Sequence, residues 1–299
     1  MPVSAGNFWE LSIRIINGAD VASNLALVLL FLLVFCLCGV SDARGPIRGR
    51  AVEKQMQLDD LQLSITEKIG QDLLDGGYTL KFSRQGRPVY TGDCAFRVHD
   101  PKIVSGVPQP NCGSLLTYCF SGGAHCCMSL IIATTCGSRT ALDVIDMGHS
   151  GSEARFVDTG TAGQKAIRVT DWQFAYYSVE GTELGLSFAD SPGMTRLLVF
   201  DGKKWRVDGV GEFSRFYDTL LREARHSALS VSRRGNGTER EAGAGISAAY
   251  YLMMSGKPLD EVSSELSRLL PLSWKPEADK IREDLKRAIS EFNPVEVIE

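Results

Sequence analysis

Three signatures of familiar enzyme classes are missing from the 299 residues: there is no HExxH zinc-protease pattern, no P-loop and no GxGxxG dinucleotide turn. A CxxC pair is absent too, so the chain lacks the spacing of thiol–disulfide catalysts. Positive charge is not in excess. Lys and Arg number 32 against 36 Asp and Glu, a net charge of −4, and no long basic run interleaves with aromatics, which excludes nucleic acid as an expected partner. Gly148-His149-Ser150-Gly151 imitates a serine nucleophile elbow, but Ser152 stands where the second glycine is required.

What the chain does have is an uncharged apolar run at residues 21–40, long enough to cross a bilayer as a helix. It predicts an N-terminal signal peptide or membrane anchor over residues 1–43. Arg14 precedes the run and Arg44, Arg48 and Arg50 follow it, a bias that favours a cytoplasmic C-terminal side. Against this, Ser41 and Ala43 suit a signal-peptidase site and the body is rich in cysteine, so export is the preferred reading. Cleavage as a lipoprotein at Cys36 or Cys38 is disfavoured by the bulky Phe35 and Leu37.

The other six cysteines, Cys94, Cys112, Cys119, Cys126, Cys127 and Cys136, are disulfide candidates for one subdomain, with fifteen pairings open. Cys119 and Cys126 flank Gly122-Gly123, read as a hairpin turn, and would face each other across it. Adjacent Cys126 and Cys127 would point to opposite sheet faces and serve different partners.

The expected fold class is α+β: the N-terminal transmembrane or signal helix, a disulfide-stapled antiparallel β domain and a C-terminal α-helical segment. Residues 44–76 read as linker or undecided, since Leu61, Leu63 and Ile65 alternate like a strand while Ile69, Leu73 and Leu74 fit a helix. Residues 77–210 are β-rich, with hairpins at Gln85-Gly86 and Asp201-Gly202 and short strands at 130–134, 141–145, 166–170 and 184–188. Residues 211–299 are helical, interrupted by a flexible Gly/Ser/Arg linker at 230–245.

Candidate chemistry is sparse. His125, Asp146 and His149 have metal-ligand character, although hydrogen bonding to loop backbone is the commoner role of such residues. In the run Asp171-Trp172-Gln173-Phe174-Ala175-Tyr176-Tyr177 the aromatics suit a sugar or peptide cleft, yet Trp172, Phe174 and Tyr176 at period two also read as a core stripe. Asn236-Gly237-Thr238 matches a glycosylation sequon, a pattern common by chance.

Four landmarks in order, residues 121–127 (SGGAHCC), 146–150 (DMGHS), 171–176 (DWQFAY) and 188–192 (FADSP), resemble those of a family of bacterial exported proteins and lipoproteins similar to the FG-GAP and VCBS repeats of β-propellers. The resemblance implies a β domain of propeller-repeat character over about residues 77–210. It also implies a place in the bacterial cell envelope, on the periplasmic side of the inner membrane or free in the periplasm. The calcium loop of such repeats is degenerate here: Asp158 and Gly163 remain, but Gly160, Ala162 and Ala166 replace carboxylates, so no cofactor is expected.

The functional expectation is a non-enzymatic binding or interaction module, held to the membrane by its N-terminal segment and meeting an envelope protein partner. The alternative is a hydrolase of envelope polysaccharide or peptidoglycan using the aromatic and acidic region near Asp171. Thiol exchange through Cys126 and Cys127 is a third reading.

Overall fold

Strict alternation makes a strand of Leu61–Lys68: Leu61, Leu63 and Ile65 are buried and Gln62 is exposed, the pattern of a sheet with one face in a core. The structure is a computed structural model that describes residues 53–68, 76–122, 128–148, 154–161, 163–234 and 237–296. The signal or anchor expectation over residues 1–43 lies outside them. Among the described residues no helix is long and apolar enough to cross a membrane.

Three antiparallel sheets follow one another along the chain. The first is a meander of β1 (Glu53–Leu58), β2 (Leu61–Lys68), β3 (Gly77–Arg84) and β4 (Arg87–Cys94). Part of the stretch 44–76, expected as linker or undecided, therefore supplies two strands. Gln85 and Gly86 join β3 to β4 with φ of 51° and 78°, the left-handed pair that a tight hairpin turn requires.

The second sheet contains β5 (Arg97–Val98), β6 (Lys102–Ser105), β7 (Cys112–Phe120), β8 (Met128–Cys136) and β9 (Arg139–Asp146). The near-continuous apolar runs of β7 and β8 fit a strand buried on both faces. Leu115, Ile131 and Val144 join the core of the first sheet, while Leu116, Tyr118, Leu130, Ile132 and Ile145 join that of the third. The third sheet is again a meander: β10 (Arg155–Asp158), β11 (Lys165–Asp171), β12 (Met194–Phe200) and β13 (Trp205–Val207). Each fully buried Leu or Ile in these layers contributes about 1.5–3 kcal/mol.

Four cysteines form two disulfides. Cys94–Cys119 ties β4 of the first sheet to β7 of the second, and Cys112–Cys136 links directly opposed residues of β7 and β8. The expected Cys119–Cys126 pairing is thereby corrected, because Cys119 belongs to Cys94; Cys126 and Cys127 lie outside the described residues. The β7–β8 pairing begins at Phe120 opposite Met128, so the connection runs from 121 to 127 rather than over two glycines.

The free face of the third sheet is covered by helices. Ala166, Leu197 and Val199 pack on Phe213 and Phe216 at the start of α1 (Ser214–Arg234). Then come α2 (Thr238–Met254), α3 (Leu259–Leu269) and α4 (Ala278–Glu291), with Ile246, Tyr250, Leu266, Ile281 and Leu285 in one core. Within the expected linker at 230–245, residues 230–234 are instead the end of α1 and residues 238–245 the beginning of α2. Its small residues are there for closeness: a Cβ on Gly243 would lie 2.3 Å from the carbonyl oxygen of Asp190.

The chain finally returns to β structure. β14 (Val295–Glu296) pairs with β9, so the region 211–299, expected to be helical, also contributes a strand. No closure of the sheets into a ring is seen among the described residues, and the third sheet packs against the start of α1. The stretch 184–188 is no strand either, since only Gly185 makes an isolated bridge, to Ser178.

Candidate functional site

Where β9, β11 and the C-terminal tail converge lies a groove of about 350 Å³. Asp146 and Gly148 form one wall, Thr170 to Gln173 the floor, and Glu291 to Pro294 the other wall. The tail is held there by the Asp146 N–H, which donates to the Pro294 carbonyl over 2.7 Å. Sequence reading gave no signal for this tail, because two residues of strand are too short to register as a pattern.

Trp172 is half-buried in the lining of this groove and its position is set by glycines. A Cβ on Gly148 would lie 3.0 Å from the indole, and one on Gly193 would lie 3.1 Å from it. Its ring stacks on Phe188 at 5.7 Å and 21°, and Tyr176 meets the same Phe188 at 5.4 Å. Tyr176 is 57% exposed and has a φ of 55°, a left-handed conformation rare for an aromatic residue. The backbone N–H of Tyr176 is held by Ser191 Oγ at 2.8 Å, and that hydroxyl donates in turn to the Ser187 carbonyl.

Three landmarks far apart in sequence, 146–148, 171–176 and 188–192, thus meet at one place. The β7–β8 connection ends beside them, as Met128 N–H donates to the Gly148 carbonyl and Met147 N–H to that of Met128. The expected period-two stripe is corrected: residues 173–176 turn, so Phe174 enters the helical core while Trp172 and Tyr176 stay at the surface.

Asp171 is 1% exposed. Its carboxylate accepts from the Gln173 N–H at 2.9 Å and from the Tyr250 hydroxyl at 3.0 Å. Burial raises its pKa, outweighing the lowering by these two donors. The side-chain amide of Gln173, with its nitrogen toward Ala288, donates to that carbonyl and accepts from the Phe292 N–H, fixing the end of α4.

Of the metal candidates, Asp146 is described, and its Oδ1 accepts from the Gly148 N–H at 2.8 Å; His125 and His149 lie outside the described residues. No group of three or more His, Cys, Asp or Glu suited to a metal occurs among the described residues. The degenerate calcium loop is a hairpin connection closed by protein groups, with Thr159 N–H donating to the Gln164 carbonyl and Gln164 N–H to that of Thr161.

No protein-family model, no curated protein and no solved structure matches the chain. The groove therefore has to be read from its own chemistry: a stacked aromatic ledge, exposed carboxyl and amide groups at Asp146, Glu291 and Asn293, and a floor fixed by internal hydrogen bonds.

Proposed function

We propose that the protein is an exported, disulfide-stapled envelope protein that binds a saccharide chain without cleaving it. Two disulfides in the β layers support an oxidising compartment, since cytosolic thiols stay reduced. Together with the apolar segment 21–40, they favour residence at the periplasmic face of a bacterial inner membrane, with the N-terminal segment as tether. Three successive antiparallel sheets, two of them four-stranded meanders, support kinship with propeller-type repeats.

The observation that carries the binding reading is the ledge of Trp172, Phe188 and Tyr176 beside the groove. Aromatic faces accept the C–H faces of a sugar ring, while Asp146, Glu291 and Asn293 suit its hydroxyls. The held, left-handed Tyr176 keeps one aromatic presented to solvent. Binding of soluble envelope oligosaccharides, followed by isothermal titration calorimetry, is expected to weaken at least tenfold in Trp172→Ala; unchanged binding would remove the reading.

One observation favours the hydrolytic alternative. A buried carboxyl whose pKa is raised, as at Asp171, is the kind of group that protonates a glycosidic oxygen. Its two hydrogen-bond donors inside the fold argue for a structural role instead. Release of reducing ends that stops in Asp171→Asn, with the fold intact, would establish hydrolysis.

A further inference from the structure

At the other end of β9 from the groove, turns from all three sheets meet around a second cavity of about 350 Å³. Arg84 comes from the end of β3, Ser138, Arg139 and Thr140 from the β8–β9 turn, and Gly202 and Lys203 from the β12–β13 turn. We infer that this cavity binds a phosphate group, with Arg139 and Lys203 as its principal cationic contacts and Arg84 as a third.

The charge arrangement is the first support. Arg84 donates to Asp60 at 2.6 Å, so one carboxylate already engages one of the three cations. Among the described residues neither Arg139 nor Lys203 forms an ion pair. The other nearby acid, Asp201, is turned to its own loop and accepts from the backbone N–H groups of Lys203 and Lys204 at 2.8 and 2.9 Å. A protein of net charge −4 has thus gathered cations from three separate sheets at one cavity.

The second support is the geometry of the cationic groups. Thr140 lines the cavity, and its Oγ1 is buried with no hydrogen-bond partner. That oxygen is closed to solvent, as is the equally unpartnered Oγ1 of Thr135 directly opposite on β8, so a phosphate would be held by the cationic side chains and not by this hydroxyl. The Arg fork matches phosphate geometry in a way that an ammonium does not, which makes Arg139 the specifying residue and Lys203 a point charge.

Phosphate reaches such a site either free in solution or on a lipid headgroup, and the experiment separates the two. Calorimetric titration of the full chain in detergent with inorganic phosphate at low salt gives one arm. Co-flotation with phosphatidylglycerol vesicles, compared with phosphatidylcholine vesicles, gives the other; the comparison cancels any attachment through residues 21–40. Arg139→Gln/Lys203→Gln is expected to lose phosphate binding at least tenfold, or the excess retention on anionic vesicles, while Arg139→Lys retains part of it. Both variants should keep the wild-type melting temperature within a few degrees, since the substituted side chains are exposed. Binding seen only with vesicles assigns the headgroup, and binding of inorganic phosphate assigns a soluble ligand. No binding in either arm, or wild-type binding by the double variant, overturns the proposal.

Discussion

The guanidinium of Arg196 donates from Nε to Oδ1 of Asp208 over 3.0 Å, with both side chains almost fully buried. Around this pair the fold is tied together. Arg196 also donates to the carbonyls of Asp208 and Ile289 and stands over the Phe292 ring, and the Tyr217 hydroxyl donates to Asp208 Oδ2 at 2.5 Å. One ion pair thereby joins β12, α1, the end of α4 and the tail that walls the groove.

Removing one partner leaves the other charged in a dry interior. Asp208→Ala is expected to lose about 3–5 kcal/mol of unfolding free energy, measured by urea denaturation. Loss under 1 kcal/mol would mean that the pair does not organise the core.

Asp143 gives the stability a pH signature. Its carboxyl is buried between the second and third sheets, where desolvation pushes its pKa from 3.8 up to about 6 despite the Trp205 N–H. The folded state therefore holds this proton more tightly than the unfolded state. The resulting stabilisation is fully present below about pH 4 and is lost as pH rises through about 6, to an extent on the order of 3 kcal/mol. Asp143→Asn should lack this component, so the wild-type minus variant difference in stability should fall between pH 4 and 7; a flat difference would refute the assignment.

Gly243 tests the seat of α2. With Asp190 O only 2.3 Å from where a Cβ would stand, Gly243→Ala forces the helix away from the turn that carries Phe188 and Ser191. A loss of about 1–3 kcal/mol is expected in thermal or urea unfolding, although alanine is the better helix former. A stabilised variant would show that the helix and turn are not in close contact.

The two disulfides differ in what they join, one within a sheet and one between sheets. Replacing Cys94 and Cys119 together by serine should destabilise by about 2–4 kcal/mol. Peptide mapping without reduction should recover Cys94 linked to Cys119 and Cys112 linked to Cys136, and any other pairing of these four would contradict the fold.

Much of this architecture is legible in the residues. The Gln85-Gly86 turn places β3 and β4, and Gly256 with Pro258 separates α2 from α3, whereas the period-two alternation of β2 is masked by the helix-like spacing that follows it and leaves that stretch undecided. Composition misleads at 230–245, where glycine and serine look like a linker but permit close helix packing; tertiary contact overrides propensity there. Aromatic spacing misleads at Trp172, Phe174 and Tyr176, because a turn distributes them between surface and core. The groove itself required the third dimension, since Asp146, Trp172 and Asn293 are brought together by strand pairing that no local pattern records.

The measurement that bears most directly on the proposed function follows binding and cleavage in the same tube. The full chain is incubated with purified insoluble cell-wall polysaccharide, and sedimented protein and newly released reducing ends are both quantified. The account predicts that wild-type protein sediments with the polysaccharide, that Trp172→Ala remains largely in solution, and that no reducing ends appear with either. Equal sedimentation of the two proteins, or steady release of reducing ends by the wild type, would contradict it.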